Sequence, residues 1–208
     1  MAVNVVELLG DIPAAQNGYL TRAQATAAGV EDYDLHRSAS KGFIHRVGHG
    51  VYRVAGAPFD RLSDLRVAWL RLRPEASPRQ RVLRPDVWVS HESAASVHGF
   101  GVFLADTPTF TSSVRLQPGK GVKIHRRSVG MERDEWIVLD GFAVTGVERT
   151  AADLYRSGVD GGHLGRFIND ALQAGAANAE RIRLAMGVGA ENFDALIEMS
   201  SSPRGNDA

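Results

Sequence analysis

Two short helical segments joined by a glycine turn, with a hairpin pattern directly after them, are the feature that most restricts how this chain can fold. Thr21 is placed to cap a helix, Gln24 follows three residues later as in a capping box, and Gly29 ends the segment. The sequence EDYDLHRSASKGF then predicts a second short helix that stops at Gly42. A pair of short helices with a tight turn between them is typical of a helix-turn-helix.

The elements around this pair complete a known arrangement. Apolar residues alternate on both sides of Gly48-His49-Gly50, which predicts a β-hairpin. Upstream, VNVVELLGDI has apolar residues at helical spacing and predicts a first helix. This order predicts a winged helix, whose second paired helix enters the major groove of DNA while the wing touches the backbone or the minor groove. The residues expected to contact DNA are Tyr33, His36, Arg37, Ser40 and Lys41 on that helix, with Arg46, His49 and Arg53 on the wing.

Charge is unevenly distributed along the chain, although its formal net charge is zero. Residues 1–60 hold five Lys or Arg against six acids, so a winged helix there needs a homodimer on DNA, or help from elsewhere, to gain phosphate contacts. Residues 61–90 hold seven Arg against three acids, and residues 115–133 hold six Lys or Arg against one, which favours a polyanion. Residues 134–208 reverse this balance and indicate a different partner. The alternatives are a winged helix that contacts only protein and charge that is plain solvated surface.

The remainder of the chain predicts a connecting helix and then mixed strands and helices. DRLSDLRVAWLRLRPE is amphipathic and predicts the helix, whereas the Pro- and Arg-rich PEASPRQRVLRPD predicts a loop. TFTSSVR, GVKIHRR and EWIVLDGFAVTG predict strands, with Pro118–Gly121 as a hairpin turn, and helical segments follow. We therefore predict an α+β chain with a winged helix-turn-helix in 1–58, a connecting helix and loop in 59–84, a mixed α/β domain with a helical C-terminus in 85–190, and a C-terminal helix with a disordered tail in 191–208.

Composition excludes several classes of function. The chain has no cysteine, so disulfides and thiolate metal sites are excluded and a reducing cytoplasm is expected. No apolar run approaches the roughly 18 residues that a membrane span needs, so no membrane partner is expected. The first ten residues lack the basic and long apolar regions of a secretory signal.

One short stretch, WVSHESAASVHGF, combines residue types that often carry chemistry. Ser90 is placed to cap a helix that has His91 in its first turn and ends at Gly99. His91 and His98 are seven residues apart and therefore stand roughly 10 Å apart along the helix axis. That separation is too large for one metal ion, and no metal site is expected. A tightly packed structural helix is favoured over a partner-binding surface or a catalytic site, because no third orienting group can be located.

Four motifs follow one another along the chain. They are Gly50-Val51-Tyr52-Arg53, then Ser90-His91-x-Ser93-Ala-Ala ending in His98-Gly99, then His125-Arg126, and finally Thr145-x-x-Glu148-Arg149-Thr150-x-x-Asp153-Leu154. Their order and spacing over about residues 5–157 resemble the AbiEi family of bacterial antitoxins. The resemblance implies a cytoplasmic bacterial protein with a winged helix, an α+β antitoxin domain, and two partners, a cognate nucleotidyltransferase-like toxin and the operator DNA of its own promoter. The family-motif residues that it marks for partner binding are Ser90, His91, Ser93, His98, His125, Arg126, Glu148, Arg149, Thr150 and Asp153.

Two alternative hypotheses stay open. In branches of this family, neutralisation is linked to phosphorylation of the toxin, which makes an atypical serine/threonine protein kinase the second hypothesis. The chain lacks the kinase glycine loop, H-R-D and D-F-G motifs, and LQPGKGVK lacks the spacing of a phosphate-binding loop. A phosphotransferase would use ATP and Mg²⁺, and the candidates by residue type are Lys120 and Lys123 for phosphates, His125 or Arg127 for transition-state charge, and Asp140 or Asp153 for the metal.

The favoured hypothesis needs no cofactor and no catalytic residue. Under it, the acidic helix start at Glu148 and the spacing of Arg149 and Asp153 predict a salt-bridged helix that docks against the sheet. The sequence His125-Arg126-Arg127 is open to a phosphate, an acidic toxin surface or no partner at all. The third hypothesis is a transcription factor that senses a small ligand with its C-terminal domain.

Overall fold

The computed structural model describes residues 9–103, 106–117 and 119–201. Most of the predicted first helix lies outside these residues. Within them Leu9 is helical, Gly10 is a turn, and a separate single turn of helix, α1, begins at Asp11. The elements of the N-terminal part are α1 (Asp11–Ala14), β1 (Tyr19–Thr21), α2 (Arg22–Ala27), α3 (Asp32–Ser40), β2 (Ile44–Gly48) and β3 (Val51–Val54). The three strands form one antiparallel sheet in the order β1-β3-β2. Helices α2 and α3 are the predicted helix-turn-helix, and β2 and β3 form the predicted wing.

Local hydrogen bonds explain why these residues fold as predicted. The Thr21 side chain accepts from the Gln24 backbone, and the Gln24 side chain accepts from the Thr21 backbone at 3.0 Å, so the capping box is confirmed. Gly42 follows α3 with φ +76°, a left-handed conformation that allows the chain to turn sharply into β2. Gly50 has φ +66° at the tip of the hairpin, where the wing reverses direction.

Two helices join this part to the rest of the chain, and one of them corrects a prediction. The amphipathic segment forms α4 (Ser63–Leu72) as expected. The segment predicted as a loop contains a short helix, α5 (Pro78–Leu83). Ser77 and Gln80 form a complete capping box at its start, and proline at the first helical position loses no hydrogen bond there. The helix was overlooked because its proline and arginines dominate the composition.

The second sheet has five strands, and its topology corrects another prediction. Its strands are β4 (Val87–Val89), β5 (Thr109–Ser112), β6 (Lys123–Arg126), β7 (Trp136–Leu139) and β8 (Phe142–Thr145), in the order β6-β5-β4-β8-β7. Strands β5 and β6 are parallel, with Thr109 opposite Lys123. A hairpin turn at Pro118–Gly121 is therefore wrong, because a tight turn joins only antiparallel strands. Pro118 itself lies outside the described residues.

Helices cover this sheet and extend the chain beyond it. They are α6 (His91–His98), α7 (Val147–Arg156), α8 (Gly161–Gln173), α9 (Ala179–Met186) and α10 (Ala190–Ser201). Fully buried side chains such as Leu154, Phe167 and Ile182 form the core of the helical part. The predicted disordered tail falls on 202–208, outside the described residues. The combination of helices with one antiparallel and one mixed sheet confirms the α+β class.

The winged helix and the second sheet share one apolar core through α4. Tyr19 of β1 belongs to the same buried cluster as Trp69 of α4 and Phe142 of β8. Arg66 of α4 is only 1 % exposed and donates to the Asp140 carbonyl oxygen at 2.9 Å. Its guanidinium lies 4.2 Å from the centre of the Phe142 ring and 6.0 Å from that of Tyr19. These contacts hold the winged helix in one orientation against the second sheet.

Candidate functional site

The first candidate surface is the outer side of α3. Leu35 and Ser38 are buried and fix the inner side of the helix against the winged-helix core. At its start, Arg22 Nε donates to Asp32 Oδ1 at 2.6 Å, which ties α2 to α3. The five residues predicted to contact DNA from this helix are all exposed: Tyr33, His36, Arg37, Ser40 and Lys41. Guanidinium, ammonium, hydroxyl and imidazole groups on one face supply donors for base edges and phosphates.

The wing places its predicted residues in two different environments. Arg46 and His49 are exposed, and Arg46 Nε donates weakly to the Gly48 carbonyl oxygen at 3.3 Å. Arg53 is partly buried, and its guanidinium donates to the Ala57 carbonyl oxygen at 2.9 Å and lies 5.3 Å from the centre of the Phe59 ring. Arg46 and His49 are therefore accessible to a partner near the tip of the wing, whereas Arg53 at its base is held by contacts within the protein.

The second candidate site is a histidine cluster formed by Ser90, His91, Thr111 and His125. Strand register places Trp88, Thr111 and His125 in one row across β4, β5 and β6. Because α6 begins directly after β4, the His91 ring lies on the His125 ring, with centroids 3.7 Å apart and planes inclined by 18°. Thr111 Oγ1 donates to Ser90 Oγ at 3.0 Å, and Ser90 Oγ lies 2.9 Å from His91 Nδ1.

The start of α6 corrects the predicted role of Ser90. This residue occupies the N-cap position, but its side chain accepts no hydrogen bond from the helix backbone. Its hydroxyl is already held between Thr111 and His91. His91 adopts φ +54°, a left-handed conformation that is uncommon for a residue with a side chain. The backbone is thus strained at His91, the residue whose imidazole stacks on that of His125.

Burial and neighbouring cations favour the neutral form of both stacked imidazoles. Burial is the main cause that lowers the pKa of His91 to about 3, and His125, Lys123 and Arg149 lower it further. Burial also lowers the pKa of His125, with Lys123 acting in the same direction and Asp153 opposing it. Two protonated rings at this distance would repel each other strongly, so the stack is stable only with at most one charge.

An arginine and carboxylate network borders the cluster. Arg149 Nε donates to Asp153 Oδ1 at 2.8 Å, and Arg149 Nη1 donates to Glu135 Oε1 at 2.6 Å. Arg127 Nη1 reaches the same Glu135 oxygen at 2.8 Å. Asp153 Oδ2 and His125 Nε2 are buried with no hydrogen-bond partner in the described part of the chain. Burial raises the pKa of Asp153, although Arg149 acts to lower it. These two atoms therefore offer an acceptor and a ring nitrogen to a further group.

Three other family-motif residues make structural contacts. His98 Nε2 lies 2.8 Å from the Thr145 carbonyl oxygen, and burial lowers the pKa of His98. Ser93 Oγ accepts from the Thr109 backbone at 2.9 Å, which ties α6 to β5. Thr150 Oγ1 donates to the Thr145 carbonyl oxygen at 3.0 Å at the start of α7. All three side chains hold helices against the sheet.

The remaining motif residues face outward or toward the C-terminal helices. Glu148 Oε1 lies 3.4 Å from Arg181 Nε on α9, so this glutamate pairs with another helix. The predicted network within α7 is therefore limited to Arg149 and Asp153. Arg126 is exposed at the end of β6.

Only some of the residues predicted for a phosphotransferase lie close together in the structure. Lys123 and Asp153 both interact electrostatically with His125, and Arg127 joins the site through Glu135. The other two candidates, Lys120 and Asp140, lie elsewhere: Lys120 follows Gly119, which contacts α4, and the Asp140 carbonyl oxygen accepts from Arg66 in the β7–β8 turn.

Sequence reasoning missed Glu135, Thr111 and Trp88 as members of the site. Glu135 belongs to a 3-10 turn, Arg133–Glu135, and its ion-pair partners are Arg127, just after β6, and Arg149 on α7. Thr111 and Trp88 lie at the site because the strand register pairs them across β4 and β5. No local pattern marks any of the three.

Among residues 9–103, 106–117 and 119–201, no three His, Asp or Glu side chains are arranged to hold a metal ion. No helix in the same ranges is both long enough and apolar enough to cross a bilayer.

Comparison with known proteins identifies the N-terminal part. A comparison with curated protein sequences gave no match. Among solved structures, the chain is similar to the RV2827C protein from Mycobacterium tuberculosis, with 16% identity and a TM-score of 0.54 over 96% of this chain and 76% of that one. At this identity the similarity supports the fold alone. Residues 14–55 match the model of a family described as transcriptional regulator, AbiEi antitoxin. This match confirms the AbiEi resemblance over residues 14–55, which hold the helix-turn-helix and the Gly50–Arg53 motif, and the three motifs from Ser90 onward lie outside it. Residues 14–55 are thus similar to the transcriptional-regulator domain of the AbiEi antitoxins.

Proposed function

We propose that this chain is an antitoxin that represses its own operon by binding promoter DNA and neutralises a nucleotidyltransferase-like toxin. The observation that carries the proposal is the exposed face of α3 within the AbiEi-matched segment. The helix is held by buried Leu35 and by the Arg22–Asp32 pair, so its outer side chains project from a rigid support. A rigid, exposed helix beside a wing is the geometry that reads the major groove.

Within this face, Arg37 and Lys41 are given different roles. The planar guanidinium of Arg37 suits two parallel hydrogen bonds to a guanine edge, which would contribute to sequence selectivity. Lys41 follows the last turn of α3 and suits a phosphate contact, which raises affinity for any duplex.

The substitution Arg37→Ala is expected to reduce affinity for the promoter duplex by about 1–3 kcal/mol and to reduce discrimination against a scrambled duplex. Lys41→Ala is expected to weaken binding to both duplexes to a similar extent. Fluorescence anisotropy with the two labelled duplexes measures both effects. Arg166→Ala removes one exposed charge from α8 and is the matched control. If the intact wild-type protein shows no preference for its promoter, the regulatory half of the proposal is wrong.

We place toxin neutralisation in residues 85–190, where the histidine cluster lies. A variant with Arg37→Ala and Lys41→Ala is therefore expected to protect cells from the toxin as well as wild type does. Growth after induction of the toxin with each antitoxin variant, together with co-purification of the pair, measures this. Absence of a nucleotidyltransferase-like gene next to this one would support the third hypothesis, a ligand-sensing transcription factor, instead.

The phosphotransferase alternative is kept because Asp153 Oδ2 is buried, unpartnered and close to cations. In that reaction a toxin hydroxyl would attack the γ-phosphorus of ATP, its proton would pass to Asp153, and ADP would leave. Intact-mass measurement of the toxin after incubation with this protein, ATP and Mg²⁺ separates the hypotheses. A gain of one phosphoryl group that Asp153→Asn abolishes supports catalysis, whereas an unmodified toxin in a stable complex supports neutralisation by contact.

A further inference from the structure

Two cations outside the AbiEi-matched segment lie beside the wing. A Cβ atom built on Gly48 would meet Val67 Cγ1 at 2.6 Å and Arg71 Cδ at 3.9 Å, so the wing packs directly on α4. A Cβ atom on Gly119 would meet Arg71 Nη2 at 3.1 Å. Arg71 thus lies between the wing and Gly119, and Lys120 is the next residue. Both Arg71 and Lys120 are exposed.

An open cleft connects this position with the start of the helix-turn-helix. It has a volume of about 690 Å³ and lies between α2, the tip of the wing and the end of α4. The Arg22 backbone donates to the Gly50 carbonyl oxygen at 2.8 Å, so α2 begins at the wing tip. Arg22, His49 and Arg71 all line the cleft. Arg71 of α4 therefore lines the same cleft as the wing tip and the start of α2.

The charges of Arg71 and Lys120 are free for an external partner. Neither forms a salt bridge with any residue in the described part of the chain. Arg73, two residues further along, pairs with Glu75 and Asp86, and Arg22 pairs with Asp32. Two exposed cations without acidic neighbours at bonding distance complement a polyanion rather than the protein's own surface.

We propose that the DNA-binding surface extends beyond the winged helix onto Arg71 and Lys120, which contact duplex phosphates flanking the wing. This inference rests on the proposed DNA binding and adds the residues that supply the missing electrostatic affinity. Residues 1–60 carry fewer cations than acids, whereas each phosphate contact releases condensed counterions and strengthens binding. Arg71 and Lys120 thus supply positive charge that the winged helix lacks.

Salt dependence of binding tests the inference on the full chain. The probes are the promoter duplex and the same duplex shortened on the flank beside the wing, with binding measured by anisotropy from low to moderate KCl. Arg71→Gln and Lys120→Gln are each expected to reduce the slope of log K against log salt by about 0.9, and the double variant by about 1.8. At 0.15 M salt the double change corresponds to roughly 30-fold weaker binding. Preference for the promoter over a scrambled duplex should not change.

Two controls make the outcome decisive. Arg166→Gln, on α8, should leave the slope unchanged, and thermal unfolding should show that every variant is folded. The shortened duplex lacks the phosphates that Arg71 and Lys120 are proposed to contact. Wild type and the double variant should therefore bind this duplex with equal affinity. If wild type prefers its promoter but the double variant keeps the wild-type slope, the extended surface is wrong and the proposed function stands. If wild type does not bind DNA, the regulatory half of the proposed function and this inference both fail.

Discussion

Replacing Arg81 by methionine is expected to lower the free energy of unfolding by about 2–3 kcal/mol. Arg81 projects from α5 and is 6 % exposed. Its Nη1 donates to the Trp69 carbonyl oxygen at 3.3 Å, and its Nη2 donates to that of Leu70 at 3.1 Å and also to that of Arg73. The guanidinium, 5.1 Å from the centre of the Trp69 ring, therefore caps the C-terminal end of α4.

Two opposing effects determine how much the free energy of unfolding should fall in Arg81→Met. Methionine keeps the apolar stem but leaves carbonyl groups at the end of α4 without donors, and each buried unpaired acceptor costs about 1–3 kcal/mol. Burial lowers the pKa of Arg81 to about 10, so removing the buried cation offsets part of that cost. Urea unfolding at neutral pH measures the difference. Arg79→Met, on the same helix but exposed, is the control and should change stability by less than about 0.5 kcal/mol. An equally small change for Arg81→Met would show that the cap contributes nothing.

Acid is expected to destabilise the protein from pH 6.5 downward, and His91 is expected to contribute most. Burial and neighbouring cations lower the pKa of His91 from 6.5 to about 3 in the folded protein. The unfolded chain then binds a proton that the folded chain rejects, so the stabilising contribution is complete above pH 6.5 and decreases as the pH falls. Each pH unit is worth about 1.4 kcal/mol, which sets an upper limit of about 2 kcal/mol at pH 5 for this residue.

Other groups near the cluster modify the acid response. Burial lowers the pKa of His98 and His125, which adds to the loss of stability. The pKa of Asp153 is raised, so its protonation acts in the opposite direction. The comparison is therefore the difference in unfolding free energy between pH 7.5 and pH 5.0, measured with urea for wild type and His91→Asn. Asparagine tolerates the left-handed backbone at this position and does not titrate.

The matched control for this measurement is His49→Asn, an exposed histidine on the wing. That variant should lose as much stability as wild type between the two pH values, whereas His91→Asn should lose less. Equal losses in all three proteins would mean that the stacked imidazoles do not govern the acid response.

Elements that depend on neighbours in the chain could be predicted from the sequence. The capping box of Thr21 and Gln24, the glycine that ends α3 and the tip of the wing all rest on hydrogen bonds and backbone conformations within a few residues. The winged helix and the α+β class followed from their order. The same local chemistry is present at Ser77 and Gln80, although the proline and arginines around them give α5 the composition of a loop.

Strand partners and the candidate sites depended on tertiary structure. A glycine-rich segment suggested a hairpin, but the pairing of β5 with β6 is decided by the whole sheet and is parallel. His91, His125 and Asp153 stood in separate motifs, and only the register of β6 and the docking of α7 brought them together. Arg71 became part of a surface because α4 packs on the wing. The sequence by itself determined the local elements and their residue types, because those rest on short-range hydrogen bonds and periodicity. Long-range packing decided which charged and polar groups meet, because contacts between distant segments leave no periodic signal in the chain.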